Sequence, residues 1–190
     1  MPALFGRFVV LAFVAGVSSG LVRSEDKPAG GKFAVAEGKV SFKAPETWVK
    51  KEPKVRIIEV EYEVPAAKGD ELPGRLTVMG AGGAIEANID RWIGQFEQPD
   101  GSETKNKSKT EKLKVAGTDV HYVDLSGTYK DNPAPFAGGK AIPRENYRML
   151  AAIVTTKEAG NYFLKLYGPK ATIAENEKAF RDMIDSLEMK

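Results

Sequence analysis

Cysteine is absent from this chain, which excludes disulfide staples, thiolate chemistry and a lipid-modified cysteine after a leader. Stability must therefore come from a hydrophobic core. Histidine occurs once, at His121, too few for a typical zinc site of three or four protein ligands. No stretch reaches the ~20 apolar residues that cross a bilayer. The uncharged stretch from Phe8 to Val22 stops at 15 residues and is diluted by glycine and serine.

That stretch is what the sequence does have at its start. Arg7 precedes the apolar run FVVLAFVAGV (Phe8 to Val17), and small residues follow at Ser18, Ser19 and Gly20. This is the three-part pattern of a cleaved signal peptide, read over 1–24, with cleavage after Ser24 or Ser19. The expected localisation is extracytoplasmic, periplasmic or secreted, with no stable membrane insertion after cleavage. The whole chain carries 28 Lys and Arg against 26 Asp and Glu. Arg7 and Arg23 leave with the leader, so the processed chain is electrically balanced, which argues against nucleic acid or an anionic membrane as a partner.

Residues 25–32 (EDKPAGGK) are polar and read as a flexible linker ahead of a single globular domain, 33–190. Phe33-Ala34-Val35 and Val40-Ser41-Phe42 are short strand signals around Glu37-Gly38. Ala44-Pro45 then interrupts the pattern, and Trp48 and Val49 cover an edge of the core. From Val55 to Val64 residues alternate, with Ile58, Val60, Tyr62 and Val64 on one parity and Glu59, Glu61 and Glu63 on the other, which predicts one half-buried strand. Arg75 to Met79 is a further strand. Ile85, Ile89, Trp92, Ile93 and Phe96 predict an amphipathic helix ending before Pro99-Asp100-Gly101. Leu113–Val115 and Asp119–Tyr129 form a hairpin, and Tyr147–Thr155 pairs with Tyr162–Tyr167. A final helix has Thr172 and Glu175 as a capping box and an apolar stripe of Ile173, Phe180, Met183, Ile184 and Leu187. Strand-rich order with two helices predicts an α+β fold, an antiparallel sheet of about five to seven strands flanked by two helices.

Candidate sites are few. Gly80-Ala81-Gly82-Gly83 between strand and helix lacks the spacing of a phosphate-binding loop and reads as a tight turn. Asp119 and His121 share a strand face but find no third ligand, and Asp124 lies on the opposite parity. Nothing pairs His121 with a serine such as Ser126. Glu59, Glu61 and Glu63 read as a solvated face. Lys105, Lys107 and Lys109, followed by Lys112 and Lys114, fit a lysine-guarded sheet edge or a contact for an acidic partner. The segment Lys130 to Asn146 carries three prolines and two glycines and reads as a long irregular loop, offering Phe136, Lys140 and Arg144 as contact residues.

The order of these elements resembles a known family. Ala44-Pro45-x-x-Trp48, the helix Asn88 to Phe96, the hairpin from Val115-Ala116-Gly117 to Gly127-Thr128-Tyr129, and the closing Met183-Ile184-Asp185-Ser186-Leu187 are similar to the PsbP-like α/β/α sandwich. Exported proteins of planctomycete-type bacteria share the style. The resemblance implies an accessory or binding protein; no site residue transfers with it. The expectation is an exported, monomeric, non-catalytic domain without cofactor or metal, binding an unknown protein or small ligand. The alternatives are an extracytoplasmic hydrolase or metal-dependent enzyme with a carboxylate site, and a structural envelope protein.

Overall fold

The computed structural model describes residues 29–132 and 139–190. The leader 1–24, the first half of the linker and Phe136 lie outside the described residues. No described helix is long and apolar enough to cross a membrane.

The chain runs β1 (Ala29–Val35), β2 (Val40–Lys51), β3 (Val60–Val64), β4 (Gly74–Ala81), α1 (Ile85–Ile93), β5 (Phe96–Glu97), β6 (Lys109–Val115), β7 (Thr118–Asp131), β8 (Ile142–Thr155), β9 (Asn161–Pro169), α2 (Lys170–Glu175), α3 (Glu177–Asp185) and β10 (Glu188–Met189). All strand pairs are antiparallel, in the order β1-β2-β3-β4-β9-β8-β7-β5, with β6 also on β7 and β10 on β2. The sheet therefore has ten strands among the described residues, larger than five to seven. The short strands β5 and β10, which the sequence does not mark, bring the eight strand segments read there to ten.

The sheet has two apolar faces. Leu150, Ala152 and Val154 of β8 join Tyr122, Leu164 and Leu166 beneath Ile173 of α2 and Phe180, Met183 and Ile184 of α3. Met149, Ala151 and Ile153 point the other way, to Val123, Leu125, Phe163 and Trp92 of α1. Covered on both sides, β8 reads as the unbroken apolar run LAAIV rather than an alternation. The spacing of Phe180, Met183, Ile184 and Leu187 puts all four on one helix stripe, and all four are buried.

Four expectations are corrected. Pro45 does not end a strand: β2 runs through it, and it is the β1 ladder that skips, with Gly31 opposite Ala44 but Ala29 opposite Val49. Such an interruption suits a residue without an N–H. β3 begins at Val60, not Val55, and Val55 to Ile58 form an exposed turn in which the Ile58 N–H donates to the Val55 carbonyl. α1 closes at Ile93, so Phe96 reaches the core from β5, opposite Tyr129. The last helix is two helices separated by Asn176. The Asn176 Oδ1 accepts from the Trp48 indole N–H (2.8 Å), and its Nδ2 donates to the Thr172 carbonyl (2.9 Å). Thr172 lies inside α2 rather than capping it. Asp70 supplies the cap from a distant loop, accepting from the Thr172 N–H (2.9 Å) and hydroxyl (2.7 Å).

The segment Lys130–Asn146 is not one irregular loop. β7 continues to Asp131 and β8 starts at Ile142, with Tyr129 opposite Arg144 and Asp131 opposite Ile142. A bulge makes this possible: Glu145 and Asn146 together oppose Thr128, with Asn146 at φ 54°. Proline, glycine and asparagine mask the strand in the sequence. The linker expectation also shortens, since β1 takes up Ala29 to Lys32.

Beside the bulge, Gly127 has φ 145°, and a Cβ there would lie 2.5 Å from the Glu97 carbonyl oxygen. Gly127→Ala should lose about 2 kcal/mol of stability, read as a shift in the urea unfolding midpoint at constant slope.

Candidate functional site

The residues singled out in the sequence do not assemble into one site. Lys105 pairs with Asp90 and Lys107 with Asp100, while Lys112 and Lys114 both reach Asp119. Lys109 is exposed at the start of the edge strand β6. Lys105 and Lys107 lie in a 3-10 turn (Thr104–Lys107) ahead of the strand, so only Lys109, Lys112 and Lys114 guard the β6 edge, and all of these lysines but Lys109 are paired with carboxylates. The hydrogen bonds from Lys114 and then Lys112 hold the Asp119 carboxyl down at about 2, so this residue is engaged by ammonium groups rather than poised with His121. No group of three or more His, Asp or Glu side chains suited to a metal occurs among the described residues. Lys140 is exposed in the β7–β8 connection, and Arg144 is half-buried in β8 with its Nε 3.3 Å from Asp131.

The three glutamates of the alternating segment are also engaged. Glu61 takes a two-pronged contact from Arg75 (2.9 and 2.8 Å), Glu63 pairs with Lys51, and Glu59 accepts from the Gly80 N–H. Gly83 supplies the left-handed residue of the strand-to-helix turn (φ 92°), as the turn reading required.

What the structure does assemble is a tyrosine platform on the α1 face. Tyr129 of β7, Tyr147 of β8 and Tyr167 of β9 meet at one end of the sheet. The Tyr129 and Tyr147 rings are parallel at 6.2 Å, and Tyr129 and Tyr167 are tilted at 5.4 Å. Phe96 backs them, 5.2 Å from Tyr129. The β8 bulge is essential here. It shifts the strand's alternation, so that Arg144 and Tyr147, even and odd in number, face the same side as Tyr129.

Arg75 binds this platform to the sheet. Its Nη1 donates to the Tyr167 hydroxyl (2.7 Å), and its guanidinium carbon is 6.0 Å from that ring's centre. The contact with Glu61 raises the Arg75 pKa further above its ordinary value, so it is a permanent cation. Burial pushes the Tyr129, Tyr147 and Tyr167 hydroxyls up, and for Tyr167 the nearby Arg75 opposes that shift. The three phenols therefore stay protonated as hydrogen-bonding groups rather than acting as bases. Leu72 and Ile142, each 43% exposed, lie at the same end of the sheet.

Behind the platform Lys165 is almost enclosed, at 9% exposure. Its ammonium lies 5.6 Å from the centre of Tyr167 and 6.0 Å from that of Trp92, and it donates to Gln95 Oε1 at 3.1 Å. Burial, with Arg91 and Arg75 nearby, lowers its pKa to about 8. It ties the end of α1 to the sheet.

Sequence reasoning missed Arg75, Tyr129, Tyr147, Lys165 and Tyr167 as a group. They come from four strands, and only the register brings them together. The visible signal was a tyrosine near one end of each of β7, β8 and β9.

No protein-family model matches the chain, and no curated protein matches its sequence. Among solved structures, the chain is similar to cyanobacterial PsbP (CyanoP) from Synechocystis, at 11% identity and a TM-score of 0.52, covering 95% of this chain and 99% of that one. Also found are LpqN of Mycobacterium tuberculosis, a protein involved in cell envelope biogenesis (10% identity, 85% of each chain, TM-score 0.49), and the yeast Ran-binding protein Mog1p (9% identity, 84% of this chain and 95% of that one, TM-score 0.49). At these identities the likeness is one of fold, and the first of the three carries it: the ten-stranded sheet between α1 and the α2–α3 pair has the PsbP-like architecture.

Proposed function

We propose that the protein is an exported, monomeric, non-catalytic accessory domain that docks a protein component of the cell envelope through the Tyr129–Tyr147–Tyr167 platform. The single observation that carries this reading is the platform itself. Stacked tyrosines beside a fixed arginine, flanked by exposed Leu72 and Ile142, have the composition of an interface centre. Tyrosine offers large contact area with only two rotatable torsions, and its hydroxyl remains able to hydrogen-bond. Export rests on the leader pattern of residues 1–24.

A photo-crosslinking residue placed at Ile142 in living cells should capture one discrete envelope protein. Binding of that protein to purified chain should weaken about 30-fold in Tyr147→Ala, corresponding to a central contact of about 2 kcal/mol. Tyr147 is half-buried, so the fold should survive the change. Equal affinity for the variant, with an unchanged circular dichroism spectrum, would discard the platform as the docking site. Recovery of the chain only from the cytoplasm with residues 1–24 attached would discard export, and sedimentation as an oligomer would discard the monomer.

A further inference from the structure

The opposite end of the sheet carries a second surface, independent of the platform. We propose that the turn between β2 and β3, residues 52–59, is a contact loop for an anionic lipid surface.

The apolar side chains here are exposed although the alternation in the sequence expected them in a strand. Val55 is 41% and Ile57 57% exposed, which makes Ile57 the most exposed large hydrophobic side chain among the described residues. Basic residues interleave with them in the order Lys54-Val55-Arg56-Ile57. Lys54 and Arg56 are exposed, and neither makes an ion pair or side-chain hydrogen bond with a described residue. Lys50 and Lys51 precede them, and Glu52 is the only acid from residue 50 to 58. Glu59, next in the chain, is turned back to the Gly80 N–H and lies beside Tyr162.

The loop is presented by a rigid base. Lys51 pairs with Glu63 at its entry, and the Glu59 N–H donates to the Val78 carbonyl at its exit (2.9 Å). The same end of the sheet holds Lys39, paired with Glu158 at 3.5 Å, and Lys157 and Lys190 around a shallow concavity of about 280 Å³, beside exposed Met189. Their elements adjoin the loop through the sheet: β9 starts opposite the end of β4, whose Val78 faces the start of β3.

This chemistry favours a lipid surface over an acidic protein. Val55 and Ile57 protrude from a turn rather than lining a groove. Alternating cations can lie at headgroup level while the apolar tips pass just beneath. Each cation near an anionic membrane strengthens partitioning about fivefold. A balanced total charge does not oppose this, because charges beyond ~10 Å are largely screened. The expected association is weak, reversible and salt-sensitive.

The chain, purified in the form the cell accumulates, should co-sediment with vesicles of 30% phosphatidylglycerol in phosphatidylcholine and much less with phosphatidylcholine alone. Lys54→Gln with Arg56→Gln should weaken partitioning about 25-fold, and Val55→Ser with Ile57→Ser should weaken it at least tenfold. All four positions are exposed, so an unchanged thermal midpoint verifies the fold. The cysteine-free chain also allows Ile57→Cys to carry an environment-sensitive dye, whose emission should shift to the blue with the anionic vesicles only. Equal binding to both vesicle types, unchanged partitioning of the double variants, or a dye that stays in water would each overturn the proposal. So would double variants that keep vesicle binding while losing an acidic protein partner. None of these readouts involves Tyr147, so failure here is separable from failure of the platform.

Discussion

Lys165→Met should stabilise the chain at pH 7 by about 2–3 kcal/mol, a gain that fades as the pH approaches 10.5. Lys165 lies against Trp92 and Gln95 of the α1 segment, beside Tyr167, opposite Thr77 of β4 and Ala151 of β8, and near two other cations, Arg75 and Arg91. No carboxylate among the described residues hydrogen-bonds to it. Its ammonium accordingly loses more solvation than Gln95 and the ring faces return, which lowers the pKa to about 8 from an ordinary 10.5. The unfolded chain therefore binds more protons between these values, so this group makes stability rise with pH across that window. Below about pH 8 the full penalty is present; above 10.5 it is gone. Methionine keeps the apolar stem and removes the charge.

Tyr122 and Tyr129 work in the opposite sense, because burial raises them and they contribute stability that is lost as pH climbs above 10. The measurement is therefore the difference in unfolding free energy between the variant and the native chain at pH 7, 8.5 and 10, in which the tyrosines cancel. A variant less stable than the native chain at pH 7 would refute the account.

Arg148→Met should cost about 3 kcal/mol. Arg148 is a cation shared by Asp124 and Glu177: it meets both Asp124 oxygens (2.9 and 2.8 Å) and Glu177 (2.7 Å), with its side chain 14% exposed. Asp124 is on β7 and Glu177 opens α3, so the guanidinium fastens the helix to the sheet. Removing it leaves the Asp124 carboxylate unpaired in a partly dry setting beside Glu177, which keeps only Arg181 at 3.7 Å, and that is worse than having no charge at Asp124. Hence Asp124→Leu in the Arg148→Met background should recover at least half of the loss, where additive effects would deepen it. Amide exchange in the first turn of α3 should quicken in the single variant. A double variant as unstable as the sum of the singles would show that the ion pair is not the cause.

Periodicity made the elements legible where one face of an element meets a single layer. The stripe Phe180, Met183, Ile184, Leu187 and the alternation Val60, Tyr62, Val64 both carry the burial their spacing implies. It misled where the same composition serves two purposes. Val55 to Ile58 read as the start of the β3 strand yet lie outside the sheet, because only Glu59 onward finds a ladder on β4. Pro133, Pro135 and Pro143 announced a loop, yet Pro143 sits in β8 opposite Lys130. The tyrosine platform was out of reach for a different reason. Its members are local to nothing, and their meeting depends on strand register and on one extra residue in β8. The guarded edge at β6 was legible in Lys109, Lys112 and Lys114, though the turn that holds Lys105 and Lys107 ahead of it, and their partners Asp90 and Asp100, were not.

That extra residue also governs which changes of chain length this surface can absorb. With Glu145 and Asn146 sharing one partner, deletion of Asn146 would restore one-to-one pairing and leave Ile142, Arg144 and Tyr147 on the side they occupy now. A deletion two to four residues later, within Arg148 to Leu150, with the bulge kept, would instead turn every side chain before it to the other face, dispersing the tyrosines and sending Arg144 toward α2. Length variation among descendants of this sequence should thus collect at the bulge, where a residue can be lost without the surface noticing.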